Sequence, residues 1–230
     1  MSILDDSIQE RITAFWSAVA SGYEAYGGNV PVRDSDEHRA WIDAIRELLP
    51  AAPSDVLDIG TGTGFVAIIA AKLGHRVTGT DLSTVMLDEA RAEAKRRGVA
   101  VAFTVEDAVA PQLPSASFDA VICRHLLWTL RQPELALTNW SKLLRPGGRV
   151  VAIDGLWSAS GDEPDLFKQH YTKATRAALP VMGFSEVASV AEMFERAGFE
   201  QVKVRDLAPG HGVAEDTPGL SPWYVITALA

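Results

Sequence analysis

The stretch Val56-Leu57-Asp58-Ile59-Gly60-Thr61-Gly62-Thr63-Gly64-Phe65 constrains the fold of this 230-residue chain more than any other. Val56 to Ile59 is a short apolar run with one acid, which suits a strand buried in a parallel sheet. Three glycines follow at alternate positions, and Phe65 to Leu73 then begins a helical run. Strand, glycine turn and helix in that order open a nucleotide-binding βαβ unit. Glycine lets the backbone turn tightly and leaves main-chain N–H groups accessible to a ligand.

The glycine spacing separates two classes of ligand. A dinucleotide fingerprint, G-x-G-x-x-G, seats a pyrophosphate over the helix N-terminus. Here the position of its third glycine is Phe65, whose ring hinders that packing. The run Asp58-x-Gly60-x-Gly62-x-Gly64 instead resembles motif I of the class I S-adenosylmethionine-dependent methyltransferases of the small-molecule, type 11 or UbiE-like kind. The resemblance implies that Asp58, Gly60, Thr61, Gly62 and Gly64 cradle the methionine and ribose portion of S-adenosyl-L-methionine, whose product is S-adenosyl-L-homocysteine. No phosphate is bound there.

The following segments agree. Arg76 to Asp81 reads as the second strand, and Asp81 stands about 20 residues after Gly60. At that interval a carboxylate accepts from both ribose hydroxyls in βαβ sites, which places Asp81 and the adjoining Leu82 at the cofactor. Ser83 can cap the next helix, on which Leu82, Met86 and Ala90 share a face; Met86 either touches adenine or packs in the core. The third strand, Val99 to Val105, ends at Glu106-Asp107-Ala108. In the family an acid and a small residue here bind adenine, so the resemblance gives Asp107 the N6 amine and the Ala108 N–H the N1. Phe118 to Cys123 is the fourth strand, Leu135 to Leu144 a helix, and Arg149 to Asp154 the fifth strand. Leu143 to Arg149 resembles the family's turn before that strand.

Alternating strands and helices imply a parallel sheet covered on both faces. The expected fold is α/β, a Rossmann-like doubly wound sheet of seven mostly parallel strands with the last antiparallel. Its last two strands are Gln201 to Leu207 and Trp223 to Leu229. Residues 1–50 form a helical cap, with helices at 3–20 and 36–49, and residues 51–230 form the methyltransferase domain. Residues 155–188 are inserted after the fifth strand as a substrate lid carrying one helix, Asp165 to Leu179. Ser189-Val190-Ala191-Glu192 reads as a capping box, and residues 208–222, with His211, as a binding loop.

Ligands of open α/β sheets lie at the C-terminal strand edges, which here gather the glycine loop, Asp81, Asp107 and residues 123–128. Cys123 is placed beside the cofactor, and Arg124 and His125 at the reacting atoms. His125 is a candidate general base, its ordinary pKa of ~6.5 being near working pH, or else it contacts a backbone carbonyl. Arg124 grips an acceptor carboxylate or phosphate in its fork, or pairs with an acid. His170 and His211 are no better candidate bases than His125. Similarity to the family's N-terminal cap gives Tyr23 a place over the cofactor, while Trp16 either joins the cap or packs the core. Tyr26, Trp128, Trp157 and Tyr171, with Arg124, line a partly apolar acceptor pocket.

Missing motifs narrow the acceptor. The Asn/Asp-Pro-Pro-aromatic run of amino-methylating nucleic-acid enzymes is replaced by Cys123-Arg124-His125-Leu126. Catechol-type enzymes hold a metal between acids after the fourth and fifth strands; Asp154 is placed for one half, but Cys123 and Arg124 leave the other empty. No metal is expected. The expected reaction is in-line methyl transfer to O, N or C of a small metabolite or natural-product intermediate, for which alignment supplies much of the rate. A net charge of −9 argues against nucleic acid, and Lys95 to Arg97 reads as a solvated helix end. A single cysteine allows no intrachain disulfide, and neither a basic signal region nor an apolar run of ~18–20 residues is present. A cytoplasmic monomer or homodimer, bound to no membrane, is expected. The rival readings are a nicotinamide-dependent oxidoreductase, a non-catalytic S-adenosylmethionine-binding module, and an enzyme for a protein or RNA acceptor.

Overall fold

The computed structural model describes residues 3–23, 31, 35–157, 163–206 and 220–230. In chain order the elements begin with α1 (Ile3–Val19), α2 (Asp36–Leu48), β1 (Asp55–Ile59), α3 (Phe65–Lys72), β2 (Arg76–Asp81) and α4 (Thr84–Arg97). Then come β3 (Ala102–Val105), β4 (Phe118–Arg124), α5 (Pro133–Leu143) and β5 (Leu144–Trp157). The chain finishes with α6 (Asp165–His170), α7 (Lys173–Ala177), α8 (Val187–Arg196), β6 (Glu200–Asp206) and β7 (Leu220–Leu229).

The seven strands form one sheet in the order β3-β2-β1-β4-β5-β7-β6. β1 pairs in parallel with β2 on one side and β4 on the other, so strand order reverses there. β7 runs antiparallel between β5 and β6, which makes the sheet mixed as expected. Side chains alternate along each strand and feed two cores. Leu57, Ile59, Val121 and Cys123 join α1, α5 and α8 on one face. Val56, Ile122, Val151 and Val225 join α2 and α3 on the other. β1 is buried on both faces, which accounts for its near-continuous apolar run.

Local signals set most helix ends. Ser35 caps α2 by accepting from the His38 N–H, and Ser83 caps α4 by accepting from the Met86 N–H. Gly98 closes α4 in the left-handed conformation. Four expectations are corrected. The helix expected over Asp165 to Leu179 is two, because Tyr171 turns inward and Thr172 caps a fresh helix at the Thr175 N–H. The expected capping box fails, since α8 starts at Val187 and Ser189 already lies in its first turn, its N–H bonded to the Glu186 carbonyl. Partly buried Phe184 and Val187, packed on the core, bring the chain into the helix early. β3 is shorter than the apolar run 99–105, and β5 extends from Leu144, before the Pro-Gly turn, to Trp157.

Candidate active site

The reversal at β1 opens a cleft at the carboxyl ends of β1, β2 and β4. Gly60, Gly62, Asp81, Leu82, Met86 and Asp107 form its floor and one wall. The glycine loop is held from beneath. The Asp58 Oδ2 accepts from the Thr61 hydroxyl at 2.6 Å and from the Ala67 N–H at 2.9 Å. The Thr61 N–H reaches the Thr80 carbonyl at 2.8 Å, tying the loop to β2. Gly62 has φ +54°, and a Cβ there would meet nothing within 4 Å, so the loop faces the cleft bare. Gly64, at φ +86°, is a packing glycine instead: a Cβ would stand 3.1 Å from that of Ala90.

Asp58 is thus a buried support of the loop. Burial pushes its carboxyl up to about 6, against the bonds from Thr61 and Ala67. A raised folded-state pKa means that the native state binds more protons than the unfolded chain between about pH 4 and 6. The stability this gives is fully present below the unfolded value and is lost as pH rises through 6. Asp58→Asn keeps an acceptor for both donors. Wild type should therefore lose on the order of 3 kcal/mol relative to this variant between pH 4 and pH 7.5. Urea titrations across that range measure it, and a constant difference would refute the assignment.

Asp81 joins two parts of the site. Its Oδ2 accepts from the Gly62 N–H at 3.0 Å and its Oδ1 from the Ser83 N–H at 2.8 Å. Burial raises its pKa despite those bonds. The Asp107 Oδ1 accepts from the Val109 N–H at 2.8 Å. Residues 106–112 are pinned further: Trp140 Nε1 donates to the Ala108 carbonyl at 2.7 Å, Asn139 to that of Val109 at 2.8 Å, and the Gln112 N–H to Glu106 at 2.7 Å. Met86 is 2% exposed in the core and also borders the cleft.

Arg124 and His125 diverge. Strand alternation sends the Arg124 guanidinium to the α2 and α3 face, 4.9 Å from the Phe65 ring, 5.3 Å from Trp41 and 6.0 Å from Trp223. Burial lowers its pKa, while Tyr23, Asp58 and Asp154 oppose the shift. Arg124 borders the main cleft and also a smaller pocket beside the glycine loop, which Tyr23 and Thr63 share. The Thr63 hydroxyl is buried there without a hydrogen-bond partner among the described residues. His125 has φ +57°, and its ring meets Trp223 edge-on at 4.1 Å. Burial and the Arg124 charge hold its pKa well below the usual histidine value, so the imidazole is neutral and a weak base. Its Nε2 has no hydrogen-bond partner among the described residues.

Asp154 is committed to the chain itself. Its carboxylate accepts from the Leu127 and Gly155 N–H groups, each at 2.9 Å, and burial pushes its pKa up to about 7. It holds the turn Leu127–Thr129 that follows His125.

Several expected positions lie elsewhere. The Cys123 side chain points into the core on the α1 and α5 face, where burial raises its thiol pKa, and does not line the cleft. Trp128 and Tyr171 are 4% and 1% exposed and form an aromatic cluster behind the wall, 5.3 Å apart, with the Tyr171 hydroxyl 2.7 Å from that of Thr129. The turn after His125 folds back, so Thr129 and Leu130 line the cleft in their place. His170 sits 3.1 Å from the Arg11 carbonyl, on α6 rather than at the cleft. Tyr26 and His211 lie outside the described residues, as does the side chain of Trp157.

The sequence reading gave α1 a place in the cap through Trp16 but missed Gln9 and Thr13. Gln9, Thr13 and Trp16 line the cleft, and their spacing of four and three residues puts them on one helix face. That polar and aromatic stripe was the available signal. Trp16 borders the cleft while its ring packs 5.8 Å from Trp128.

A family model described as a methyltransferase domain matches residues 57–152. The demethylmenaquinone methyltransferase of Thermus thermophilus is 36% identical over 113 residues, 48% of this chain and 51% of that enzyme, so the likeness spans about half of its length. The enzyme of the same name from Deinococcus radiodurans is 32% identical over 179 residues, 70% of this chain and 74% of its own. Among solved structures, phosphoethanolamine N-methyltransferase 2 of Haemonchus contortus, in complex with S-adenosyl-L-methionine, shares the fold. Its TM-score is 0.68 at 21% identity, over 93% of this chain and 57% of that one.

Proposed function

Because this chain belongs to the class I S-adenosylmethionine-dependent methyltransferases, we propose that its cleft seats the cofactor in a defined order of residues. Asp81 takes the ribose hydroxyls, Asp107 and Ala108 the adenine edge with Met86 against its face, and Gly60 to Gly62 the methionine end. Arg124 and the Thr63 hydroxyl reach the methionine carboxylate from the smaller cavity. The single observation that carries this reading is the junction of Asp81 with Gly62, which sets an ionisable acid and a bare glycine loop side by side in one cleft.

The residues fit the group. The loop surface is open where a Cβ would intrude, and two buried polar atoms, Thr63 Oγ1 and His125 Nε2, have no hydrogen-bond partner among the described residues. Bound S-adenosyl-L-methionine supplies an electrophilic sulfonium methyl. The chain orients and desolvates: Ile12, Leu126 and Leu130 keep water from the cleft. Neutral His125 holds the acceptor by a hydrogen bond at Nε2 instead of removing its proton. The acceptor is a small metabolite or natural-product intermediate methylated at O, N or C, and relatives named for demethylmenaquinone methylation support a small organic acceptor. Residues 1–50 act as the cap and 155–188 as the lid, in a cytoplasmic monomer or homodimer.

The dinucleotide alternative meets an obstacle at the helix entrance. The Phe65 ring, standing where a dinucleotide fingerprint has its third glycine, packs on Trp41 at 5.6 Å and on the Arg124 guanidinium. Calorimetric titration of cofactor-stripped protein tests the reading. S-Adenosyl-L-homocysteine should bind at micromolar concentration and NAD should not. Arg124→Met should weaken binding by about tenfold or more, the loss of one charge-assisted hydrogen bond. Tritiated methyl donor then separates an enzyme from a binding module by turnover. NAD binding in place of S-adenosyl-L-homocysteine would overturn the proposal, and unchanged affinity in the Arg124 variant would return that residue to the acceptor.

A further inference from the structure

α1 crosses the cleft and is bonded to it at two points. The Ser17 hydroxyl lies 2.8 Å from that of Ser83, whose N–H is held by Asp81. At the far end Arg131, 8% exposed, donates from Nε to Gln9 Oε1 at 2.8 Å. Gln9 in turn donates from Nε2 to the Thr13 hydroxyl at 3.2 Å, which fixes the orientation of its amide. The other end of the guanidinium stands 3.8 Å from Asp107 Oδ2. That distance is close enough for charge attraction and too long for a hydrogen bond. Oδ2 is therefore steered by Arg131 while keeping a lone pair for another donor, its Oδ1 being already taken by the Val109 N–H.

We propose that Arg131 is a positioning residue that makes seating of the adenine and docking of α1 a single event. Its rigid fork spans two elements, Gln9 on α1 and Asp107 just after β3. An exocyclic amine on Oδ2 fixes Asp107, which fixes Arg131, which holds Gln9 and with it the helix over the bound cofactor. When α1 lifts, buried Arg131 loses the Gln9 acceptor, so the open state is penalised. The inference rests on the proposed place of adenine at Asp107.

A double-mutant cycle with Gln9→Leu and Asp107→Asn tests it, read as the affinity for S-adenosyl-L-homocysteine. The two residues do not touch in this scheme, and without Arg131 their effects should multiply. With Arg131 present the double variant should bind at least about threefold tighter than the product of the single losses predicts, and in the Arg131→Met background the effects should become independent. Arg131→Lys retains charge without the fork and should behave like Arg131→Met. Amide exchange supplies a second readout. The ligand should slow exchange across residues 8–19 and 60–64 in wild type, but only across 60–64 in Arg131→Met. Independent effects with Arg131 present, or equal protection of α1 in both proteins, overturn the latch. If Arg131→Met fails to fold, the cycle in the native background still decides. Wild-type protein that does not bind S-adenosyl-L-homocysteine would sink the functional reading itself, which is a different result from binding without coupling.

Discussion

Asp81→Ala is expected to lower affinity for S-adenosyl-L-homocysteine by about a hundredfold or more while leaving a folded protein. Two ribose hydroxyls on one carboxylate are two charge-assisted hydrogen bonds, each on the order of 1.5–3 kcal/mol. The substitution also frees the Gly62 and Ser83 N–H groups that this carboxylate holds at 3.0 and 2.8 Å, so the loop loses its brace. Stability should respond far less than binding. Burial raises the Asp81 pKa, so in the native protein at neutral pH the charge costs free energy that its backbone bonds only partly offset. Asp81→Asn should melt close to wild type at pH 7.5 and still bind much more weakly. Calorimetry beside thermal unfolding gives the comparison. Binding within threefold of wild type in a folded Asp81→Ala protein would move the ribose elsewhere.

Trp140→Ala should be the most destabilising of the changes considered, by about 3–5 kcal/mol. The side chain is fully buried on α5, and its indole N–H donates to the Ala108 carbonyl at 2.7 Å. Truncation opens a cavity and leaves that carbonyl without its donor, two losses that add. Trp140→Phe separates them: most of the ring volume stays and the donor goes, at a cost of about 1–2 kcal/mol. Ala108 follows the proposed adenine acid, so Trp140→Phe should also weaken S-adenosyl-L-homocysteine binding several-fold. Urea midpoints and titrations would show both effects. Lost stability with undiminished affinity would confine Trp140 to packing.

The readings that succeeded were local ones. Asp58 to Gly64 could be recognised as strand and turn because the glycines adopt positive φ at Gly60, Gly62 and Gly64 regardless of what lies across the cleft. Asp81 could be placed because a βαβ unit has a nearly fixed length from the first strand to the end of the second. Ser83 capped its helix as read, since a cap needs only a residue three positions ahead. Ser189 failed by the same logic in reverse, when packing of Phe184 and Val187 brought the chain into α8 before the capping pattern began.

The sequence by itself therefore determined the βαβ frame, the family and the acids at the strand ends, all properties of spacing along the chain. Tertiary structure alone decided which side chains meet in the cleft. Arg124 and Cys123 are neighbours in sequence, yet strand alternation sends one to an aromatic box and the other to the opposite core. Trp128 and Tyr171 read as pocket aromatics but pack behind the wall, while Gln9 and Thr13 on α1 line it. Contacts such as Gln9 with Arg131 and Ser17 with Ser83 join residues far apart in the chain. No local pattern encodes such a contact, because it follows from how the buried faces of α1 and the sheet fit together.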